Sequence, residues 1–415
     1  MTIELHTIEK LTAVVKQIEN LLLSDFPHES TRTGLELFAT FFNGQIARIN
    51  RAVAESERSA LIRACMTANV RVAAYLPLLG FMLRSTNVRN SFECYDSLLQ
   101  MAQRLIGQHA KVIISSEWDL SPLTYALSVP VLPGYVLLGM PASESSNALL
   151  LPLTGHELGH SVWTNENLED KWAADVEQKI REYVIRNKAS FYEAFPAYAG
   201  AKIDDQEFKT NMFLKLTVED ISPLTLGQME ETFCDAIGLK IFGDSFVQAF
   251  HYLLAPGFDV DRSLSYPPLP TRAKFMVNHG GLDFPGLDYP DFPSEFQEKQ
   301  PNLSRDQKFI SGAADEIAEA MTADLYVEAT NKVRQTASDL IPDKSAQAEI
   351  LTMFKRGTPS RRPRSLSDIL NAGWEFVRTE GKTHDSGERP LFEWISELVL
   401  KSIEVLEFQR RLKNA

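Results

Sequence analysis

The stretch His156-Glu157-Leu158-Gly159-His160 constrains the fold of this chain more than any other. It lies in an apolar, helix-compatible segment running from Leu149 to Trp163. On a helix, residues four apart sit one turn above each other on a single face, so both imidazoles can reach one metal ion. Glu157, about 100° round the helix from His156, can reach a water on that metal. Metal-assisted hydrolysis needs that set: two neutral nitrogen ligands, one open coordination position and a carboxylate that takes a proton. Chance produces the five-residue pattern in roughly one chain in a hundred of this length, so support must come from elsewhere in the sequence.

Zinc needs a third protein ligand, and no third His follows at short spacing, which excludes the His-rich metzincin pattern. The alternative is a Glu from a second helix. Residues 226–242 have the periodicity of a buried helix, and within them Glu231 and Asp235 stand at i and i+4. Glu231 is read as the third ligand. Asp235 is read as the carboxylate that accepts the free N–H of a ligand His and fixes its tautomer. Glu230 is the rival ligand, but its i+4 neighbour is Cys234. Further on, Ser265-Tyr266-Pro267-Pro268-Leu269-Pro270-Thr271-Arg272 reads as an extended, proline-stiffened loop leading into a helix.

With these three elements in this order, the chain resembles the gluzincin metallopeptidases. The likeness is nearest to the family of the CAAX prenyl endopeptidases and the bacterial heat-shock membrane peptidases. Those proteins carry H-E-x-x-H, then E-x-x-x-D on a later helix, then H-P-P-x-x-x-R; here Tyr266 stands where the family usually has His. The resemblance covers roughly residues 130 to 280. It implies one zinc ion per chain, held by His156, His160 and Glu231, with Glu157 as general base. It also implies a loop residue that stabilises the tetrahedral intermediate. Tyr266 is the candidate, because a phenol can donate a hydrogen bond to an oxyanion; the alternative is that it packs against the prolines. Arg272 is the other catalytic candidate, or it pairs with Asp235 or another site carboxylate.

Composition fits this reading. The chain is 44% hydrophobic and 23% charged, ordinary for a globular protein. Its N-terminus lacks the basic and apolar regions of a signal peptide. The longest apolar stretches, Val72 to Leu83 and Val129 to Met140, are too short to cross a bilayer. These features predict a protein with no membrane span. The three cysteines, Cys65, Cys94 and Cys234, suit a reducing compartment, so the expected location is cytoplasmic. The net charge of −13 is concentrated in residues 111–300, which hold 14 basic and 27 acidic side chains. That balance disfavours nucleic acid as a ligand, and its preferred reading is solubility, with cationic peptide segments as the alternative; a peptide or protein substrate is what the resemblance implies.

The expected fold class is mainly α (α+β). Apolar spacing predicts helices over 3–24, 33–55, 58–83 and 91–109, forming an N-terminal helical region, residues 1–110. Ser30-Thr31 and Ser91 are candidate helix starts. The cluster Phe38, Phe41 and Phe42 is read as core. Lys111–Ser115 and Tyr135–Leu138 are β-rich and predict strands of a small sheet. Tyr135–Met140 is the candidate edge that pairs with an extended substrate; an internal strand is the alternative. Residues 111–290 form the expected zincin-like domain. Asn147 and its neighbouring serines offer N-caps for the motif helix, which Pro152 kinks or starts afresh. Helices are expected over 166–192 and 206–217, and a loop over 281–300 tied down by Phe284, Phe292 and Phe296. His251, sixteen residues after Asp235, is read as a core or surface residue, with an approach to the site as the alternative. The C-terminal region, 291–415, is read as helical, over about 304–340, 345–356, 367–380 and 390–412. Its basic run Lys355–Arg364 is read as a solvated loop. The rival to a peptidase is a metal-binding regulatory or scaffold protein that has lost turnover. A third reading is hydrolysis of a non-peptide amide.

Overall fold

The computed structural model describes residues 3–55, 57–85, 91–117, 123–124, 131–144, 147–257, 261–280, 292–381 and 389–414. Helix dominates, with one small sheet among the described residues. The chain divides into two compact units: residues 1–103 with 107–146, and residues 104–106 with 147–415.

The first unit holds α1 (Ile3–Leu21), α2 (Glu29–Ala54), α3 (Arg58–Arg84) and α4 (Ser91–Leu105), then β1 (Lys111–Glu117), β2 (Leu123–Thr124) and β3 (Tyr135–Pro141). Phe38 and Phe42 are fully buried and meet Tyr75 edge to face, so the phenylalanine cluster is core. Helix α2 begins at Glu29, and the Ser30 hydroxyl is turned inward to the Val112 carbonyl. Strand β3 lies between the other two, parallel to β1 and antiparallel to β2. The Tyr135–Met140 segment is therefore not an edge. Its backbone pairs with β1 along its length and with β2 at Leu138 and Gly139, and the buried run Val136-Leu137-Leu138 is what a central strand shows. Its pairing with β1 also fixes the sheet to the N-terminal helices, because Ile113 and Leu137 join the core that α1 to α3 form. The expected boundary at residue 110 thus falls instead at 146/147.

The second unit opens on a 3-10 turn, Ala148–Leu153, capped by the Asn147 side chain, which accepts from the Leu149 N–H. Pro152 sits in this turn, so the motif helix starts afresh after it as α5 (Thr154–Asn165). The neighbouring Ser145 and Ser146 lie outside the described residues. Then come α6 (Leu168–Arg186), α7 (Lys188–Ala194), α8 (Asp205–Thr210), α9 (Met212–Phe242), α10 (Asp244–Leu254) and α11 (Leu269–Gly280). The unit ends with α12 (Arg305–Thr336), α13 (Lys344–Phe354), α14 (Leu366–Glu380) and α15 (Leu391–Asn414). The C-terminal helices belong to the same unit as the motif helices, so no boundary falls at 290. They close it through buried bonds: the Trp374 indole donates to the Leu149 carbonyl, and the Ala148 N–H to the Ser396 hydroxyl. Phe292 and Phe296 are buried, while Phe284 lies outside the described residues.

Helix α9 runs for 31 residues where two shorter helices were expected. Pro223 lies inside it. A proline removes one backbone donor, here the partner of the Glu219 carbonyl; Pro223 and Glu219 are both exposed, so water can take that bond. From Thr225 onward nearly every residue of α9 is buried, as expected of a helix apolar all round.

Candidate metal centre

The site forms where α5 lies against α9. Gly155 and Gly159, one turn apart on α5, face Gly238 and Cys234 of α9. A Cβ on Gly159 would lie 2.7 Å from the Cys234 Cα, and one on Gly155 would lie 2.9 Å from the Gly238 Cα. Only glycine permits that approach. Leu158, Val162 and Trp163 fill the flanks of the contact, Trp163 against Phe233. Each such buried side chain contributes about 1.5–3 kcal/mol of transfer free energy.

Four residues apart on α5, the His156 and His160 rings lie 4.9 Å between centroids. Their Nε2 atoms face Glu231, His156 at 3.3 Å from Oε2 and His160 at 3.6 Å from Oε1. One ligand atom from each of the three residues lies within 4.8 Å of the other two. Their Nδ1 atoms point elsewhere. That of His156 lies 2.9 Å from Asp235 Oδ1, and that of His160 lies 2.8 Å from Glu230 Oε1. Each imidazole thus holds its Nδ1–H on one carboxylate and directs Nε2 to a common point. Glu230 lies against the His160 Nδ1, away from the point that the two Nε2 atoms face. The sequence pattern missed this placement.

The cluster suits a cation. Glu231 is 4% exposed, and its Oε2 has no hydrogen-bond partner of good geometry. A buried carboxylate is costly unless positive charge lies beside it, and Arg272, 3.6 Å from Oε2, supplies part of that charge without a metal. Two imidazoles and a carboxylate are the donor set of a catalytic zinc site.

Arg272 is buried and grips Asp235 with two bonds, Nε to Oδ2 at 2.8 Å and Nη2 to Oδ1 at 2.7 Å. It also lies 3.6 Å from Glu231 Oε2. Its side chain is committed to these carboxylates, which makes it a positioning residue. Burial alone would raise the Asp235 carboxyl, but the Arg272 guanidinium and the His156 bond outweigh it and hold the group at about 2. Burial works against charge on His156, yet the Asp235 and Glu231 carboxylates beside it push it up to about 10. Glu157 is buried beside the ligands. Desolvation lifts its carboxyl above the usual range, although His156 and His160 pull the other way.

Tyr266 is 45% exposed, with its hydroxyl toward Glu231. That carboxylate, together with burial, raises the phenol, which stays protonated and able to donate. Its loop is built in. Gly227 lets Ser265 approach α9, where a Cβ would lie 3.2 Å from the Ser265 carbonyl. Gln228 donates to the Leu264 carbonyl and to Asp315. Arg262, buried, donates to the Tyr266 carbonyl at 2.9 Å and pairs with Asp315. Arg262, Gln228 and Asp315 therefore fix where Tyr266 stands, and their spacing in sequence gave no sign of it. His251 does not approach the cluster; it pairs with Glu295 and lies among Phe292 and Phe296. No protein-family model, no curated protein and no solved structure matches this chain.

Proposed function

We propose that this protein is a zinc-dependent peptidase of the gluzincin type. The observation that carries the reading is the convergence of His156, His160 and Glu231 ligand atoms, with the buried Glu157 on the same helix as the two histidines. Zinc, when bound, would polarise the scissile carbonyl and lower the pKa of the attacking water toward ~7. Glu157 takes a proton from the attacking water and passes it to the leaving amine nitrogen. Its raised pKa suits a group that must both accept and return that proton. The Tyr266 hydroxyl donates to the oxygen that becomes negative as the tetrahedral intermediate forms. Asp235 and Glu230 hold the two imidazoles in one tautomer, and Arg272 holds Asp235.

Glu157→Gln keeps the size of the side chain and removes the base. Purified wild type should carry one zinc per chain, and the variant should keep its metal and its melting temperature. In a proteome-wide cleavage screen, wild type should generate new peptide termini and Glu157→Gln should not. A variant that performs as wild type with zinc bound would make the site structural, and the protein a metal-bearing scaffold.

A further inference from the structure

A cavity of about 270 Å³ opens between α10, α13 and α14, on residues that the metal cluster does not use. That size suits a molecule smaller than a drug-sized ligand. Helix α13 gives it one face, on which Lys344, Gln347, Ala348 and Leu351 recur at steps of three and four. The face is graded, polar in the first turn and apolar beyond it. Helices α13 and α14 run side by side in the same direction, since the Asp343 N–H donates to Asp368 and Lys355 pairs with Glu380. Trp374 therefore stands toward the Leu351 end, while Asp244 of α10 meets Lys344 at the other.

The polar end is incompletely matched. Asp244 Oδ1 and Gln347 Nε2 are both buried, and neither has a hydrogen-bond partner. Lys344 lies 3.8 Å from Asp244 Oδ2, a loose pair with an exposed ammonium group. Burial raises the Asp244 carboxyl above its usual range, and the positive charges of Lys344 and Arg378 do not offset it. Arg378 is committed to Glu375, donating to both carboxylate oxygens. Asn371 is satisfied, donating to the Phe242 and Ser367 carbonyls and accepting from the Ser245 N–H. What remains is a carboxylate short of positive charge and an amide donor short of an acceptor, beside an apolar wall. A simple cation would suit Asp244 but face Lys344; a simple anion would suit Lys344 and Gln347 but face Asp244. A zwitterion suits all three, with its ammonium on Asp244 and its carboxylate on the Gln347 N–H and Lys344. Ala348, Leu351 and Trp374 then receive an apolar side chain.

We propose that this cavity binds a free α-amino acid with an apolar side chain, at a site separate from the metal cluster. Calorimetric titration of the full chain with L-leucine tests it. Wild type should bind saturably, with a dissociation constant of about 1 mM or tighter. L-leucinamide, which lacks the carboxylate, and N-acetyl-L-leucine, which lacks the ammonium, should each bind at least about tenfold more weakly. Asp244→Asn should weaken L-leucine binding as much while keeping its melting temperature. Ala348→Phe, at an exposed position, should block the cavity without removing a polar group. Free amino acids are also products of peptide hydrolysis, so the titration is repeated on Glu231→Ala, which should bind L-leucine as wild type does. No saturable binding, equal binding of L-leucinamide, or binding unchanged in Asp244→Asn and Ala348→Phe would overturn the proposal. So would binding lost in Glu231→Ala and kept in Asp244→Asn, which would place the amino acid at the metal cluster.

Discussion

Three carboxylates serve the two ligand histidines, and their positions separate their roles. Glu231 faces both Nε2 atoms, while Asp235 and Glu230 each take one Nδ1. Replacing Glu231 by Ala should therefore abolish stoichiometric zinc. Glu230→Ala should keep the metal but weaken its binding by about 10–100-fold, because His160 loses the partner that fixes its ring. Competition with a fluorescent chelator would measure both. The reverse order would move the ligand one residue along α9. Protons report on the same groups. With His156 raised to about 10, the metal-free site holds that proton at pH 8. Zinc loading at pH 8 should then release close to one proton per chain, read from binding enthalpies in buffers of different ionisation heat. The sign for stability follows. The raised imidazole stabilises the metal-free fold fully below the ordinary histidine range, and that contribution is lost as pH climbs through about 10. That Glu231 and Asp235 share one face of α9 was legible in the sequence, because a helix repeats every turn. The role of Glu230 was not. Sequence spacing says which residues share a face, not which nitrogen of an imidazole each one meets.

At the scale of elements, the site depends on how closely α5 and α9 approach. The Gly155, Gly159 and Gly238 contacts set that distance, and periodicity of apolar residues carries no record of it. Gly159→Ala would force its new methyl against the Cys234 backbone, which cannot swing aside as a flexible side chain could. Overpacking of this kind costs about 1–3 kcal/mol, and the helices must part to relieve it. The variant should melt lower and hold zinc more weakly, though no ligand has changed. Calorimetry and metal analysis on one preparation would show both, and full zinc affinity would mean the seam does not govern the site. The unbroken run of α9 through Pro223 was hidden for a related reason. A proline in sequence signals an end, and only its exposed surroundings show that the helix continues. Strand β3 shows the internal position that stood as the alternative to an edge. Its consecutive Val136, Leu137 and Leu138 are buried on both faces, where an edge strand would alternate.

For the molecule as a whole, the division into two units separates what metal can stabilise. All the candidate ligands and their supports lie in residues 147–415. Chelation should lower the melting transition of that unit and leave the transition of the first unit in place. At zinc a thousandfold above its dissociation constant the difference amounts to about 4.1 kcal/mol. Scanning calorimetry with and without chelator would test this, and a uniform shift of every transition would contradict it. The two-unit division escaped the sequence because a strand's partner is chosen in space. Nothing local in Lys111–Glu117 reveals that it joins the helices before it. Helix α9, finally, has a consequence in time. His156 and His160 are synthesised well before Glu231, and α6 to α8 come between. On a ribosome these two candidate ligands emerge with nothing to complete the cluster. The His156, His160 and Glu231 cluster comes together only when a helix ending at Phe242 docks, so under the proposed function a growing chain would carry no finished metal site while its own peptide bonds are most exposed.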